Sequence, residues 1–259
     1  MKKPDSLIGY TGFVGSTLLN QRKFDKLFRS TNVGEIQGKD FNLCICSAAP
    51  AQKWIANKEP DKDRSNIGNI IDNLSRIQCD TFVLISTVDV FNHPIGVDES
   101  SIIDETNLHP YGLHRRELEK FVESNFENHL IVRLPGLVGP GLKKNIIFDF
   151  LNNNNLSQIE SRSVFQFYPM VNLWYDIQKA LDIGLKLVHL TAEPVSVCEV
   201  ALQGFGKAFE NKLESNPVFY DFRTKYASEL GGNSHYQYNK RESLQAIRAY
   251  AQSEPITLS

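Results

Sequence analysis

The chain reads as an α/β protein, a Rossmann-like doubly wound parallel sheet with a small C-terminal substrate-binding region. Three observations predict this. Short apolar runs alternate with stretches of helical periodicity through the first half, the pattern of successive βα units. The first apolar run leads straight into a glycine-rich turn, Gly9-Tyr10-Thr11-Gly12-Phe13-Val14-Gly15. With 259 residues, 41% hydrophobic and 22% charged, the chain has the size and composition of one large α/β domain with at most a small appendage.

Taken in order, Leu7 and Ile8 end a buried strand, and Val14, Leu18 and Leu19 share one helical face, so the glycines lie at a strand-to-helix turn. Gly9 permits the tight turn, Gly12 lets a diphosphate approach the backbone, and Gly15 lets helix and strand pack closely. The helix start offers that diphosphate unpaired N–H groups and a positive dipole end. Lys26-Leu27-Phe28 is a second strand, and Leu43 to Cys46 a third that ends at Ser47-Ala48-Ala49-Pro50. Ile67, Ile70, Ile71 and Leu74 predict a helix over Asn66 to Ile77. Phe82 to Ile85 is a strand entering Ser86-Thr87, Leu113 to Phe126 an amphipathic helix, and Leu130 to Val132 a further strand.

Beyond Leu134 the texture changes. Pro135, Gly136, Gly139, Pro140 and Gly141 make a loop, and Asn152 to Asn155 a helix end or exposed turn. Leu173 to Leu187 is helical with Asn172 as its cap, and Leu187 to Leu190 is one more strand. Ser196 to Glu199 has capping-box spacing before an apolar helix, and a last helix covers Leu244 to Ala251. The expected organisation is a nucleotide-binding core over residues 1–138, with residues 139–259 adding a strand, helices and the substrate part of one compact unit.

A net charge of −2 gives no reason to expect nucleic acid or an anionic membrane as partner. No apolar run approaches the roughly 18–20 residues that span a bilayer, and Met1-Lys2-Lys3-Pro4-Asp5 opens no signal peptide. Cys44 and Cys46 alternate along a buried strand without the partners of a zinc cluster, so they read as small core residues in a reducing compartment. The expectation is a cytoplasmic protein without a metal site.

Three features fall where ligands bind in open α/β sheets. Ser86-Thr87 puts hydroxyls at a strand tip. Tyr111 and Arg115, four apart, share a helix face. Pro135-Gly136 follows the strand ending near Arg133 and forms a loop suited to closing over a cofactor.

With the glycine turn, these residues resemble the extended short-chain dehydrogenase/reductase family, in particular its nucleotide-sugar reductases, epimerases and dehydratases. The resemblance runs through most of the chain: Ser47-Ala48-Ala49 is similar to the alanine segment beside the cofactor, and Ser86-Thr87-Val88-Asp89-Val90-Phe91 to the catalytic Ser/Thr segment. His109-Pro110-Tyr111-Gly112 resembles the tyrosine motif, Arg133 to Pro140 the loop near the nicotinamide, and Glu193 to Val197 the late strand-helix junction.

The resemblance implies catalytic roles for Thr87, Tyr111 and Arg115. Tyr111 would exchange a proton with the substrate's hydroxyl or carbonyl, and Thr87 would hydrogen-bond the same oxygen. It implies cofactor contacts from Gly9, Thr11, Gly12, Phe13, Val14, Gly15, Arg29, Ser30, Ala48, Ala49, Ser86, Pro135 and Gly136. Arg29 and the hydroxyls of Ser30 and Thr31 stand where NAD-preferring members carry an acid, which favours NADP, with NAD the alternative. The sequence departs from the family at Arg115, where the family has lysine. A keto-sugar-nucleotide reductase or epimerase ranks first. A dehydratase ranks second, because Asp89 is shorter than the glutamate usual there. A non-catalytic NAD(P)-binding sensor or scaffold is the reading that the arginine motivates. A homodimer through the tyrosine helix is implied by resemblance alone.

Each residue also has a plain structural reading. Tyr111 and Arg115 can be a stacked pair on an exposed helix, His114 a helix-surface residue, His109 a loop residue, and Trp54 and Trp174 packing groups.

Overall fold

Apolar runs flanked by polar loops build the strands. β1 (Ser6–Ile8), β2 (Lys26–Phe28), β3 (Asp40–Cys46), β4 (Gln78–Thr87), His129–Leu134 and Leu187–His189 join in one six-stranded sheet. From one edge the order is β2, β1, β3, β4, His129–Leu134, Leu187–His189. β1 pairs in parallel with both β2 and β3, placing Ile8 opposite Phe28 and Cys46, and β3 pairs in parallel with β4. The winding direction therefore reverses between β1 and β3, and the crevice beyond the carboxyl ends of those strands is where such sheets take ligands. Phe82 to Ile85 of β4 are buried on both faces, as expected of a sheet covered by helices on each side.

Around the sheet lie α1 (Phe13–Gln21), α2 (Lys53–Lys58), α3 (Pro60–Leu74) and α4 (Pro110–Asn125). Ile67 and Leu74 of α3 pack with Leu118 and Val122 of α4 and with Ile8, Phe41, Phe82 and Leu84 of the strands. Cys44 and Cys46 sit in this core as free thiols, and burial pushes Cys46 up to about 11. α3 begins earlier than its apolar spacing predicts and ends earlier too. Pro60 pre-sets the first turn, Asp61 and Asp63 favour the dipole's positive end, and Ser75 closes the last turn. α4 likewise begins at Pro110, because the His109 ring accepts the Gly112 N–H at 3.0 Å and caps it.

Residues 2–257 are described, and they fall into two units rather than one. The first comprises the chain up to Asn92, Ser101–Arg133 and Trp174–Val188; the second comprises His93–Ser100, Leu134–Leu173 and the chain from His189 on. The segments of the two units interleave along the chain and do not meet at residue 138. Trp174–Val188 belongs to the first unit, since Leu187–His189 adds to its sheet and Trp174 donates its N–H to Gln21 at 2.9 Å. His93–Ser100 and Leu134–Val138 belong to the second, since Ile95–Val97 pairs with Asp221–Phe222 and Gly136–Val138 with Phe167–Pro169.

Within the second unit the helix Ile146–Asn152 ends on Asn153 in the left-handed region (φ 51°), which makes the asparagine run a helix end and turn. The capping box at Ser196 forms in full, but the helix after it is one turn, Val197–Glu199, that passes into a π-helix over Val200–Gly204. The last helix is Lys240–Ser253, longer than its apolar pattern predicts because Asn239 and Glu242 make a second capping box. The helix predicted to reach Leu187 stops at Asp182, ahead of Gly184 at φ 73°. Among the described residues, no helix is long and apolar enough to cross a membrane.

Candidate active site

The glycine turn follows β1 directly. Gly9 has φ 89° and a Cβ there would lie 2.7 Å from the Ser47 carbonyl carbon, so both conformation and the Ser47-Ala48 loop demand glycine. Gly15 is required too, because its Cβ would meet the Gly9 oxygen at 2.1 Å. Gly12 is different. Its φ is an ordinary −76°, and a Cβ would meet only the Gly9 oxygen, at a comfortable 3.5 Å. The protein's own packing makes no use of this glycine. Gly12 is also the N-cap of α1, where no side chain caps the helix and no acid sits in the first turn.

At the tip of β4, Thr87 opens a 3-10 turn, Val88–Val90, by accepting the Asp89 N–H at 3.1 Å. Tyr111, in the first turn of α4, is 8% exposed and hydrogen-bonds the Thr87 side chain. Its position is fixed from behind: the Tyr111 N–H reaches Asn57 of α2 at 3.0 Å, and a Cβ on Gly112 would strike the Asp89 carbonyl at 2.1 Å. Desolvation pushes the phenol up to about 12. Arg115 pulls the other way, Asp89 adds to the rise, and the Thr87 hydrogen bond opposes it.

The Arg115 guanidinium stacks on the Tyr111 ring, 3.9 Å from its centre, and is 3% exposed. Both terminal nitrogens are committed. They grip the Asp63 carboxylate of α3 in a bidentate pair, with one arm at 2.9 Å, and one of them also donates to the Pro50 carbonyl. His114 joins the same carboxylate at 2.7 Å. Tyr111 and Arg115 are therefore stacked but buried, not an exposed pair, and His114 is an interior residue rather than a surface one. Asp63 draws both inward.

A second charge pair adjoins Thr87. Lys53 of α2 donates to Asp89 at 2.7 Å, and the two side chains are 40% and 17% exposed. His109 stands close to this pair, and desolvation, then the Lys53 charge, lower its pKa and keep the ring neutral. Ser86, by contrast, turns into the interior: its hydroxyl donates to Glu119 at 2.5 Å, and Arg133 grips the same carboxylate at 2.9 and 2.7 Å. Trp54, expected to pack, is 69% exposed on α2, whereas Trp174 stacks under Arg22 at 4.4 Å.

The remaining expected contacts separate. Ala48 and Ala49 follow β3 against the glycine turn, with the Ala48 Cα 2.8 Å from where a Gly9 Cβ would be. Arg29 and Ser30 are exposed at the end of β2, and Arg29 Nε donates to Thr31 at 3.0 Å. Pro135 and Gly136 lie in the second unit, where a Cβ on Gly136 would meet the Gln166 carbonyl at 2.5 Å, so packing there already requires a glycine. Thr87, Tyr111, Arg115, the glycine turn and the alanines thus all belong to the first unit. Asp63, Lys53 and Glu119 are partners that no local pattern announces.

No protein-family model matches the sequence, and no curated protein matches it. Solved structures do. A dTDP-4-dehydrorhamnose reductase from Clostridium acetobutylicum superposes with a TM-score of 0.73 at 18% identity, covering 97% of this chain and 99% of that one. The chain shares its fold with these proteins. The Bacillus anthracis dTDP-4-dehydrorhamnose reductase in complex with NADP gives a TM-score of 0.73 at 19% identity over 98% and 100% of the two chains. The UDP-glucose 4-epimerase of Thermotoga maritima with UDP-glucose gives 0.74 at 13% identity over 96% and 98%. The Rossmann-like α/β architecture is therefore the one on which nucleotide-sugar reductases and epimerases are built, and the likeness extends over nearly the whole of each chain.

Proposed function

We propose that the protein is an NADP(H)-dependent oxidoreductase acting on a nucleotide-linked sugar, as a keto-sugar reductase or an epimerase. The observation that carries this reading is the buried Tyr111 phenol hydrogen-bonded to Thr87 at the tip of β4. The glycine turn suits a dinucleotide. Gly12 is a glycine that the protein itself does not need, standing at an uncapped helix start, where a diphosphate takes up backbone N–H groups. Arg29, Ser30 and Thr31 at the end of β2 offer a cation and hydroxyls for a 2′-phosphate. One of the two reductases above was solved with NADP and the epimerase with UDP-glucose, which supports the same cofactor and substrate classes here.

Bound, the coenzyme supplies or takes up the hydride. The protein manages the proton. With its pKa pushed up to about 12, the Tyr111 phenol is neutral near pH 7 and is ready to donate to a ketone oxygen. The Thr87 hydroxyl orients that oxygen from the strand side. Arg115 holds the ring by stacking and ties α4 to α3 and to the Pro50 loop, and Asp63 neutralises much of its charge. This arrangement favours the reductive direction. Asp89 is already engaged by Lys53, which keeps the dehydratase reading behind the reductase and epimerase.

The test is to measure NADPH and NADH binding, then to offer dTDP-4-dehydrorhamnose with NADPH and, separately, UDP-glucose with NAD(P). Tighter binding of NADPH, lost on Arg29→Ala, and turnover in one of the two assays are expected. Absence of binding by either coenzyme overturns the proposal. Coenzyme binding without turnover of either sugar favours the sensor reading, which draws on the commitment of Arg115 to Asp63 and Pro50.

A further inference from the structure

The side chain four residues beyond Tyr111 has no means of passing a proton. A guanidinium stays charged up to pH values well above 12, and this one is stacked, buried and held by Asp63 and Pro50. A phenol that gives up a proton in each turnover must nevertheless regain one. On the proposed reading of the site, we infer that Tyr111 exchanges its proton with solvent through Thr87, Asp89 and Lys53, the last two being relay residues.

Counting donors and acceptors gives the chain its order. The Thr87 hydroxyl has one hydrogen and two acceptor sites. It accepts the Asp89 N–H at 3.1 Å and is hydrogen-bonded to Tyr111. Its one hydrogen serves either the Tyr111 oxygen or Asp89 Oδ2, the latter 3.5 Å away. That is the long link, of the kind that tightens when a site closes on substrate. Asp89 Oδ1 then accepts from Lys53 Nζ at 2.7 Å, and Lys53 is the member exposed to water. Every member lies in the first unit.

The other groups around the phenol are Arg115, Asp63 and His109. The first two are locked to each other, and the His109 ring is pinned as the cap of α4 through Gly112. Among the described residues, it is Thr87 and none of these three that is hydrogen-bonded to the phenol oxygen.

In the reductive direction the Tyr111 proton goes to the ketone oxygen. The phenolate takes the Thr87 hydroxyl proton, Thr87 takes one by way of Asp89 from the Lys53 ammonium, and the Lys53 amine takes one from water. One proton enters from solvent for each one delivered, and the oxidative direction runs the same path backwards.

The decisive measurement needs no sugar. In the coenzyme-free protein, NMR gives the exchange rate of the Tyr111 hydroxyl proton with water, assigned by its loss in Tyr111→Phe. Lys53→Arg keeps the ion pair with Asp89 but cannot release a proton, so exchange should slow about tenfold or more. Lys53→Ala should slow it equally, and added ethylamine should restore the rate in Lys53→Ala but not in Lys53→Arg. Asp89→Asn should slow exchange as well. It should also lower the pH at which Tyr111 ionises, because the Asp89 charge favours the neutral phenol. Unchanged exchange in Lys53→Arg, or no rescue by the amine, overturns the relay. Failure of the coenzyme and sugar assays while these exchange effects appear would sink the proposed function and leave the proton path standing.

Discussion

The two units hold themselves together in different ways. In the first, backbone ladders between parallel strands and long helices carry the structure, which leaves charged side chains such as Asp63, Arg115, Lys53 and Asp89 to gather around one phenol. In the second, the named strands are two or three residues long, and buried amides stitch loops to one another. Gln166, 1% exposed, donates to Thr191, Ala192 and Phe222 at 2.9, 2.7 and 2.7 Å and accepts the Phe222 N–H at 2.7 Å. Gln237 accepts from Thr191 at 2.6 Å and donates to His189 at 2.9 Å. Polar side chains in one unit are available for chemistry because regular structure already satisfies the backbone. In the other they are spent on satisfying it.

Substitutions sharpen that contrast. Tyr111→Phe should cost about 10²–10⁴-fold in turnover, with coenzyme affinity and melting temperature nearly unchanged, as steady-state rates and calorimetry will show. A matching loss of stability would mean that the first unit also leans on its polar groups. Gln166→Leu should do the reverse, lowering stability by about 3 kcal/mol through the backbone groups it abandons. Amide exchange should then rise first at Phe222, whose N–H loses its acceptor, and an equal rise throughout the β3–β4 ladder would break the distinction between units.

Within the glycine turn, Gly12→Ala should weaken coenzyme binding about tenfold in a titration while leaving the denaturation midpoint in place. Gly15→Ala should destabilise, since its Cβ meets the Gly9 oxygen at 2.1 Å. The smallest effect concerns acid. Side-chain, then backbone, hydrogen bonds with Arg162 draw Glu160 down to about 2, from an ordinary 4.5. Its contribution to the second unit is therefore complete above about pH 4.5 and is lost as the pH falls toward 2. A Glu160→Gln variant should lack that part of the acid sensitivity in a pH series of thermal melts.

What could be read from the sequence follows the same division. The glycine turn, β4 running into Thr87, and the Tyr111–Arg115 spacing are local patterns, and each stands in the structure where periodicity put it. Asp63 was out of reach because it meets Arg115 from 52 positions away, as Lys53 meets Asp89 from 36. His114 looked like a surface residue because nothing near it in sequence reveals a buried carboxylate partner. The second unit was harder still. Gln166 and Phe222 are 56 positions apart, and two-residue strands leave no period to detect. The exception is the capping box from Ser196 to Glu199, legible because both of its bonds lie within four residues.

The arginine at 115 has one consequence for anyone redesigning this protein. A lysine there carries its donors on a single nitrogen and cannot make the two-nitrogen grip on the Asp63 carboxylate. Swapping that letter alone would remove the planar group stacked on the Tyr111 ring and leave one Asp63 oxygen to His114 alone. A change at 115 is thus felt across two helices and a loop, and residue 63 has to be chosen with it.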